Sequence, residues 1–211
     1  MKIERLFYGS WYANCYLAVA EDEQGNLHAA VIDPAYPADK IKALADSLGA
    51  DVDLIIMTHG HFDHIYELDK LASLTDAQIC IHKDDAEMLS DGNKNAYSFF
   101  FGGDFTTRGA DRLLSDGDEI KLGNEILRVI STPGHSKGSI CLMNDEFMIT
   151  GDTIFEAGYG RYDLHGGDGR TLLKTLRSFT NYDGRLKIYP GHGDSATLSQ
   201  ALRNINIFMY K

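Results

Sequence analysis

The sequence predicts an α/β protein, because apolar patterns typical of strands and of helices alternate along its 211 residues. The predicted strands form two groups, and helices lie between and after them. Strands are predicted near 3–8, 14–20, 28–33, 53–58, 78–82, 117–122, 125–131, 138–144, 147–151 and 186–190. Helices are predicted near 37–48, 64–73, 83–90, 170–179 and 195–209.

The first and the last of these helices have clear apolar faces, because apolar residues recur at spacings of three and four. These residues are Ile41, Leu44, Ala45 and Leu48 in the first helix and Leu198, Leu202, Ile205 and Phe208 in the last. Each face is expected to pack against a sheet.

The stretch from Asp91 to Arg112 shows neither helical nor strand periodicity, so we predict a loop. Its polar part, Asn93–Ser98, is followed by three phenylalanines, Phe99–Phe101, and by Gly102 and Gly103. The phenylalanines can anchor the loop to the core. Because long loops in compact domains are often functional, we also expect at least one of these aromatic rings to form a wall of a substrate cleft.

The composition limits the classes of protein. With 44% hydrophobic residues and 4 prolines, the chain can bury a core without a linker, so we expect a single domain over 1–211. No apolar stretch approaches the roughly 20 residues that cross a bilayer, and the first residues lead into a strand instead of a signal peptide. We therefore expect a soluble, cytoplasmic protein without a membrane partner.

The charge disfavours nucleic acid as a partner. The formal net charge is −11, which repels phosphate backbones. The sequence has no long Lys/Arg cluster that would form a local basic patch.

The three cysteines, Cys15, Cys80 and Cys141, are an odd number and lie in strand-like surroundings. We therefore predict buried, reduced thiols and no disulfide scaffold.

A candidate metal site follows the apolar run Leu54–Met57. Four side chains there can bind a metal ion: His59, His61, Asp63 and His64. In an extended chain, residues two apart point the same way, so His59 and His61 can hold one ion together. Asp63 and His64 follow on the next turn and can reach a second ion.

Three later segments each add one further ligand within a glycine-containing turn after a strand-like run. These ligands are His135 in Thr132–His135, Asp152 in Gly151–Thr153 and His192 in Pro190–Gly193. Glycine and proline allow sharp turns and close backbone approach, so a sheet edge can deliver all the ligands to one point. His28, His82 and His165 lack such a setting, and we interpret them as structural or surface residues.

The order His-x-His-x-Asp-His, followed by His, Asp and His, resembles the metallo-β-lactamase superfamily. The segments Thr132–Ser139, Gly151–Phe155 and Tyr189–Gly193 are similar to its short hydroxyacylglutathione hydrolase (glyoxalase II-like) branch, without the C-terminal helical domain. The likeness extends over about residues 3–209. It implies a four-layer αββα sandwich with metals at the edges of the sheets.

The resemblance also implies two divalent metal ions, for which zinc is favoured and iron or manganese are alternatives. It assigns the first ion to His59, His61 and His135, the second to Asp63, His64 and His192, and the bridge between them to Asp152. We expect Asp63 and Asp152 to be the catalytic carboxylates of this arrangement.

The expected reaction is hydrolysis of a small-molecule thioester or ester. A water held between two divalent ions loses a proton near neutral pH, and either ion can polarise a carbonyl group. We expect the ion on His59, His61 and His135 to bind the carbonyl oxygen. A thioester suits this site because its leaving thiolate, with a thiol pKa of about 8.5, needs little protonation.

The sequence says less about how the thiol half of the substrate is recognised. Arg161 lies where the family has a basic glutathione contact, so we predict that it binds the substrate, although it can also form a purely structural ion pair with Asp163. Asp163 and Asp194 stand where the longer enzymes have tyrosines, and Ile65–Glu67 replaces the usual glycine pair. Glutathione as the thiol half therefore stays open, as do the metal and the oligomeric state.

Two other functions remain as alternatives. Gly160–Asp163 also resembles a branch of mononuclear iron dioxygenases that act on thiol persulfides, but the complete second ligand set with His192 favours the hydrolase. A non-catalytic metal-binding or redox-partner module is disfavoured because all seven ligands are present. Flavin-linked di-iron relatives typically have glutamate where this chain has His61.

Overall fold

The computed structural model describes residues 1–7 and 12–206. It contains two six-stranded mixed sheets. The strands of the first sheet are neighbours in sequence order: β1 (Lys2–Leu6), β2 (Cys15–Glu21), β3 (Leu27–Ile32), β4 (Ala50–Ile56), β5 (Gln78–His82) and β6 (Arg112–Leu114). The second sheet contains β7 (Glu119–Leu122), β8 (Glu125–Ser131), β9 (Ile140–Met143), β10 (Phe147–Gly151), β11 (Lys187–Pro190) and β12 (Ala196–Thr197), also in sequence order.

Helices cover the outer face of each sheet. The α-helices are α1 (Ala38–Leu48), α2 (Phe62–Ile65), α3 (Leu68–Leu74), α4 (Tyr97–Phe101), α5 (Gly169–Ser178) and α6 (Leu198–Asn204). Short 3₁₀ helices span Ala86–Ser90 and Phe179–Asn181. Within the described ranges, no helix has the length and apolar character required to cross a membrane.

Side chains alternate between the two faces of each strand, and this explains how the helices and sheets form layers. In β2, Leu17 and Val19 pack toward α1 and α3, whereas Tyr16 and Ala18 face the second sheet. A third apolar cluster joins the second sheet to α5 and α6, with Leu176 among its buried residues. The four-layer αββα sandwich predicted from the sequence is therefore confirmed.

Strand direction creates one shared edge. β3, β4 and β5 are mutually parallel in the first sheet. In the second sheet β8 and β10 are each antiparallel to β9, and β11 is parallel to β10, so β8, β10 and β11 run the same way. Loops that leave the carboxyl ends of these strands therefore converge.

The predicted helix over 64–73 is wrong as a single element, because the structure divides the region into α2 and α3. The break lies at Glu67, whose dihedrals are not helical. Glu67 is held elsewhere: its backbone N–H donates to Pro34, and its carboxylate accepts from the N–H of Ala38 at the start of α1.

Three further predictions are corrected. The helix predicted over 83–90 is only the 3₁₀ helix Ala86–Ser90, because Asp85 at its start is directed toward other loops. The helix predicted over 195–209 begins as β12 and becomes helical only at Leu198, and its residues from 207 onward lie outside the described part. The predicted loop over 91–112 contains α4 and ends on β6, which was not predicted.

All three cysteines are buried free thiols, as predicted. Burial raises the pKa of Cys80 to about 11 and that of Cys141 to about 12, so both thiols stay protonated near neutral pH. They are packing residues of the sheets.

Candidate metal centre

The seven predicted ligands lie together where the two sheets meet. β4 ends two residues before Thr58 and leads to His59, while β8, β10 and β11 end shortly before His135, Asp152 and His192. Three overlapping groups of these side chains place their ligand atoms within 4.8 Å of one another: His59, His61 and His135; His59, His64 and Asp152; and Asp63, His64 and His192.

The histidine triad, His59, His61 and His135, is fully buried. Nε2 of His135 lies 2.9 Å from Nδ1 of His61 and 3.1 Å from Nε2 of His59. Nitrogens bound tetrahedrally to one zinc at 2.0–2.1 Å would lie about 3.3 Å apart. The spacing of the triad therefore fits one ion with little adjustment.

The mixed triad, Asp63, His64 and His192, is less enclosed. Asp63 Oδ2 lies 3.2 Å from Nε2 of His192 and 3.9 Å from Nε2 of His64. The side chain of His192 is 34% exposed, whereas that of His64 is completely buried. This triad borders the open cavity described below.

Asp152 lies between the two triads. Its Oδ1 is 3.3 Å from Nε2 of His64, and its Oδ2 is 3.7 Å from Nε2 of His135 and 3.5 Å from Nε2 of His192. One carboxylate thus reaches members of both triads, which is the geometry of a bridging ligand.

The donor atoms themselves support a bound cation. Among the described residues, Nε2 of His64 and Oδ1 of Asp152 are buried polar atoms without a hydrogen-bond partner, as is Nε2 of His61. Leaving a buried polar group unsatisfied costs about 1–3 kcal/mol. A cation between His64 and Asp152 would satisfy both atoms, so the residues present fit divalent ions.

Two glycines allow the ligands to approach. A Cβ at Gly191 would collide with Oδ1 of Asp152 and lie 2.7 Å from the His64 ring. A Cβ at Gly160 would collide with the backbone of Asp152 and lie 2.7 Å from Nδ1 of His135. Any larger residue at either position would push a ligand out of place.

Hydrogen bonds fix the orientation of two histidines. Nδ1 of His135 donates to the carbonyl oxygen of Arg161 at 2.6 Å, and Nδ1 of His64 donates to Asp33 at 2.8 Å. In each ring the Nε2 lone pair is then directed into the cluster, as metal ligation requires.

The electrostatics of the triads differ. Burial, together with the neighbouring histidines His64 and His135, lowers the pKa of His59 well below its usual range, and burial with His135 lowers that of His61 to about 3. Burial also opposes protonation of His64, but Asp33 and Asp152 outweigh it and raise the pKa of His64. The lowered pKa values keep His59 and His61 neutral, as metal ligation requires, whereas in the mixed triad burial is outweighed by the neighbouring carboxylates, which raise the pKa values of His64 and His192.

Two supporting carboxylates were not predicted. Asp33, buried at the end of β3, accepts from the N–H and hydroxyl of Thr58 at 2.7 Å each, and from His64. Asp85, buried after β5, accepts from Ser136 Oγ at 2.6 Å and from the N–H groups of Gly138 and Gly60 at 2.7 and 3.2 Å. In the sequence, their one mark is that each follows a strand-like segment. The structure shows that these two strands, β3 and β5, are the parallel neighbours of β4.

The other histidines lie outside the cluster, as expected. His28 contacts Asp53 and Asp22, His82 contacts Ser131, and His165 contacts Glu87.

A cavity of about 320 Å³ opens beside the triads. Its lining consists of His61, Phe62, Asp63, Ala96, Phe100, His135, Asp152, Phe155, Gly160, Arg161, Leu164 and His192. Phe100 forms part of this wall, while Phe101 packs 5.4 Å from the ring of Phe62 and Phe99 is 68% exposed. The three phenylalanines of α4 therefore differ in their surroundings.

Arg161 lies in the cavity wall, but its guanidinium group is already paired. Nε and Nη2 donate to the two carboxylate oxygens of Asp163 at 2.7 and 2.8 Å. The same group lies 5.5 Å from the ring centre of Phe100 and 5.8 Å from that of Phe99. A substrate carboxylate would have to share Arg161 with Asp163.

Fold and site together define a metal-dependent hydrolase fold, and the chain belongs to the metallo-beta-lactamase superfamily, whose family model matches residues 8–192. It is 31% identical to the probable metallo-hydrolase YqgX of Bacillus subtilis (strain 168), over 92% of this chain and 90% of the relative. Among solved structures it resembles the B3 metallo-beta-lactamase BLEG-1, with a TM-score of 0.86 and 27% identity over 96% of this chain and 97% of the other. It also resembles TTHA1623 in a di-iron-bound form, with a TM-score of 0.81 and 28% identity over 95% and 98% of the two chains.

Proposed function

We propose that the protein is a dinuclear metal-dependent hydrolase of small acyl thioesters or esters, similar to the glyoxalase II-like branch of the superfamily. The observation that carries this proposal is Asp152, which reaches both the histidine triad and the mixed triad. In this proposal His59, His61 and His135 hold one ion, Asp63, His64 and His192 hold the other, and zinc is the favoured metal.

When bound, such a pair of ions supplies an activated water near neutral pH and polarises the carbonyl group of the substrate. Asp152 fixes the separation of the two triads, and Asp63 faces the cavity from the mixed triad. The bonds from His135 to Arg161 and from His64 to Asp33 keep these rings oriented throughout the reaction.

The cavity lining supports water as the nucleophile. Among its described residues there is no serine, threonine, cysteine or lysine that could attack a carbonyl group. A thioester also places little demand on the site for a general acid, because the departing thiolate needs little protonation at a thiol pKa of about 8.5. Arg161, at the wall, is the proposed contact for a carboxylate on the thiol half.

The alternative is a mononuclear iron dioxygenase of persulfides. The likeness of Gly160–Asp163 to that branch favours it, and the di-iron form of TTHA1623 shows a structural relative with iron bound. The complete mixed triad and the bridging position of Asp152 favour the dinuclear hydrolase.

Metal analysis combined with activity separates the two functions. Protein purified without added metal is analysed for zinc, iron and manganese, and is then assayed with glutathione thioesters, neutral thioesters and a persulfide. We expect about two zinc ions per chain and thioester hydrolysis. One iron per chain with oxygen uptake on the persulfide would establish the dioxygenase instead, and metal binding without any turnover would leave the non-catalytic module.

A further inference from the structure

We propose, resting on the hydrolase function above, that the cavity selects substrates with a short, uncharged and apolar acyl group. The reacting carbonyl group has to lie at the triads, so the remaining cavity wall determines which acyl groups fit. A volume of about 320 Å³ lies at the lower end of the roughly 300–1,000 Å³ usual for small-molecule sites.

The wall away from the triads is apolar. Five of its residues are Phe62, Ala96, Phe100, Phe155 and Leu164. Four of them carry large apolar side chains, and these come from three parts of the chain: Phe62 from α2, Phe100 from α4, and Phe155 and Leu164 from the segment between β10 and α5. Burying apolar substrate surface against such a wall is favourable roughly in proportion to the area removed from water.

Hydrogen bonds fix the position of this wall relative to the metal ligands. The carbonyl oxygen of Asn95 accepts from the N–H of Phe62, the residue after His61. The buried side chain of Asn95 donates to the carbonyl oxygens of Met88 and Phe105 at 3.1 and 2.8 Å. These bonds fix the start of α4, so Phe100 stands at a defined distance from the triads.

The polar groups of the wall do not offer a receptor for an anionic acyl chain. Among the described lining residues, Arg161 is the one cationic side chain outside the ligand set; its Nε and Nη2 donate to Asp163, and the proposed function assigns its remaining N–H groups to the thiol half of the substrate. The ion pair with Arg161 lowers the pKa of Asp163 to about 2, so Asp163 is ionised and the pair is neutral overall near pH 7. A carboxylate at the far end of an acyl group would lose its hydration against phenylalanine and leucine, and the wall offers it no second cation beside Arg161, which is shared with Asp163 and the thiol half.

A panel of thioesters of one neutral thiol, N-acetylcysteamine, tests the proposal. Acetyl, butyryl and succinyl thioesters are compared with the zinc-loaded protein. Since a methylene in a hydrophobic pocket changes kcat/KM about tenfold or more, we expect butyryl to exceed acetyl by at least that factor. We expect butyryl to exceed succinyl, which has the same chain length, by about tenfold or more.

Phe100→Ala and Phe99→Ala form a matched pair on the same helix, because Phe100 lines the cavity and Phe99 does not. Phe100→Ala should reduce the butyryl-to-acetyl ratio about fivefold or more, Phe100→Leu should restore most of it, and Phe99→Ala should change it less than about twofold. Phe100 is 41% exposed, so its truncation removes little buried surface, and the Leu variant controls for loss of folding.

Binding provides a readout that does not depend on turnover. Ketone analogues, in which a methylene replaces the thioester sulfur, are titrated calorimetrically into the wild type and both alanine variants. The butyryl analogue should bind more tightly than the succinyl analogue, and Phe100→Ala should weaken it while Phe99→Ala does not.

The outcomes separate the two proposals. If no thioester is hydrolysed but the analogues bind with this preference, the hydrolase function fails and the apolar pocket stands. If thioesters are hydrolysed but butyryl and succinyl react equally well, or if Phe100→Ala and Phe99→Ala behave alike, the hydrolase stands and the selectivity proposal is overturned.

Discussion

The two triads of the candidate metal centre differ in how far their side chains are exposed to solvent. The histidine triad is enclosed, with His59, His61 and His135 all at most 4% exposed. In the mixed triad, His192 and Asp63 have side chains that are 34% and 17% exposed, and both line the cavity. Because His61 and His135 also line the cavity, both triads border it, and the mixed triad is the more exposed of the two.

The buried carboxylates that support the two triads also differ in what they contact. Asp85 binds the loops that carry His61 and His135, through Gly60, Ser136 and Gly138, without touching a ligand side chain. Asp33 instead binds a ligand side chain directly, that of His64. The carboxylate of Asp85 thus supports the histidine triad through its loops, where His135 is oriented by a backbone carbonyl, whereas the carboxylate of Asp33 orients the ring of His64 in the mixed triad directly.

The largest effect is expected for Asp152→Ala, because this residue joins both triads. We expect loss of metal from both triads and a decrease in kcat/KM of about 10³-fold or more, since the proposed transition-state stabilisation depends on both ions. Metal content after dialysis and thioester hydrolysis measure these effects. Two tightly retained ions in the variant would exclude a bridging role for Asp152.

Asp63→Ala should remove metal from the mixed triad only. Asp63 belongs to the mixed triad and not to the histidine triad. We expect about one ion per chain to remain, together with a decrease in kcat/KM of about 10²-fold or more, because one of two charges that act on the substrate is lost. Equal depletion of both ions would show that the triads are not separable sites.

The metal ligands could be predicted from the sequence, whereas the carboxylates that support them, Asp33 and Asp85, could not. His59, His61, His135, Asp152 and His192 follow strands that were predicted within a few residues, and strand ends at a shared edge have little freedom. The contacts of Asp33 and Asp85 join segments 25 to 53 residues apart, and no local pattern in the sequence marks them. Such contacts depend on which strands are neighbours, and strand order is a property of the folded sheet.

The region around α4 was predicted least well for a similar reason. This helix has five residues and begins after Ala96, which has a positive φ of 70°. Its position depends on the contacts of Asn95 with Met88, Phe105 and Phe62. A helix this short has no periodicity of its own, so the sequence showed only a polar stretch followed by aromatic residues.

Asp33→Asn should weaken the mixed triad more than the histidine triad. The amide cannot serve as a charged acceptor for Nδ1 of His64, so the ring loses part of its orientation and basicity. We expect the affinity for one of the two ions to fall about 10- to 100-fold while the other is retained. Competition with a chelator, followed through the stepwise release of metal, measures both affinities.

Asp85→Asn is the matched change for the histidine triad. Burial raises the pKa of Asp85, although Ser136 and Gly138 oppose this by donating to its carboxylate. An amide would face these donors with its own N–H groups, so we expect a lower melting temperature and weaker binding of the ion opposite to the one affected by Asp33→Asn. If both variants release the same ion first, the separate support of the triads is wrong.

The smallest effect concerns Arg161, which belongs to neither triad. Arg161→Ala should raise KM for a glutathione thioester by about tenfold and leave KM for a neutral thioester within about twofold, because a charge-assisted contact contributes about 1.5–3 kcal/mol and Asp163 competes for this one. Asp163→Asn is the matched control: it removes the competing carboxylate, so it should lower KM for the glutathione thioester and leave the neutral substrate unchanged.

The two variants also separate recognition from structure. If Arg161 serves only to join Asp163 to the rings of Phe99 and Phe100, then either substitution breaks the same assembly. Both variants would then reduce kcat/KM for charged and neutral thioesters in parallel and would lower the melting temperature together. Opposite shifts of KM for the glutathione thioester, with an unchanged melting temperature, require a guanidinium group that contacts the substrate, because a structural ion pair loses the same contact whichever partner is removed.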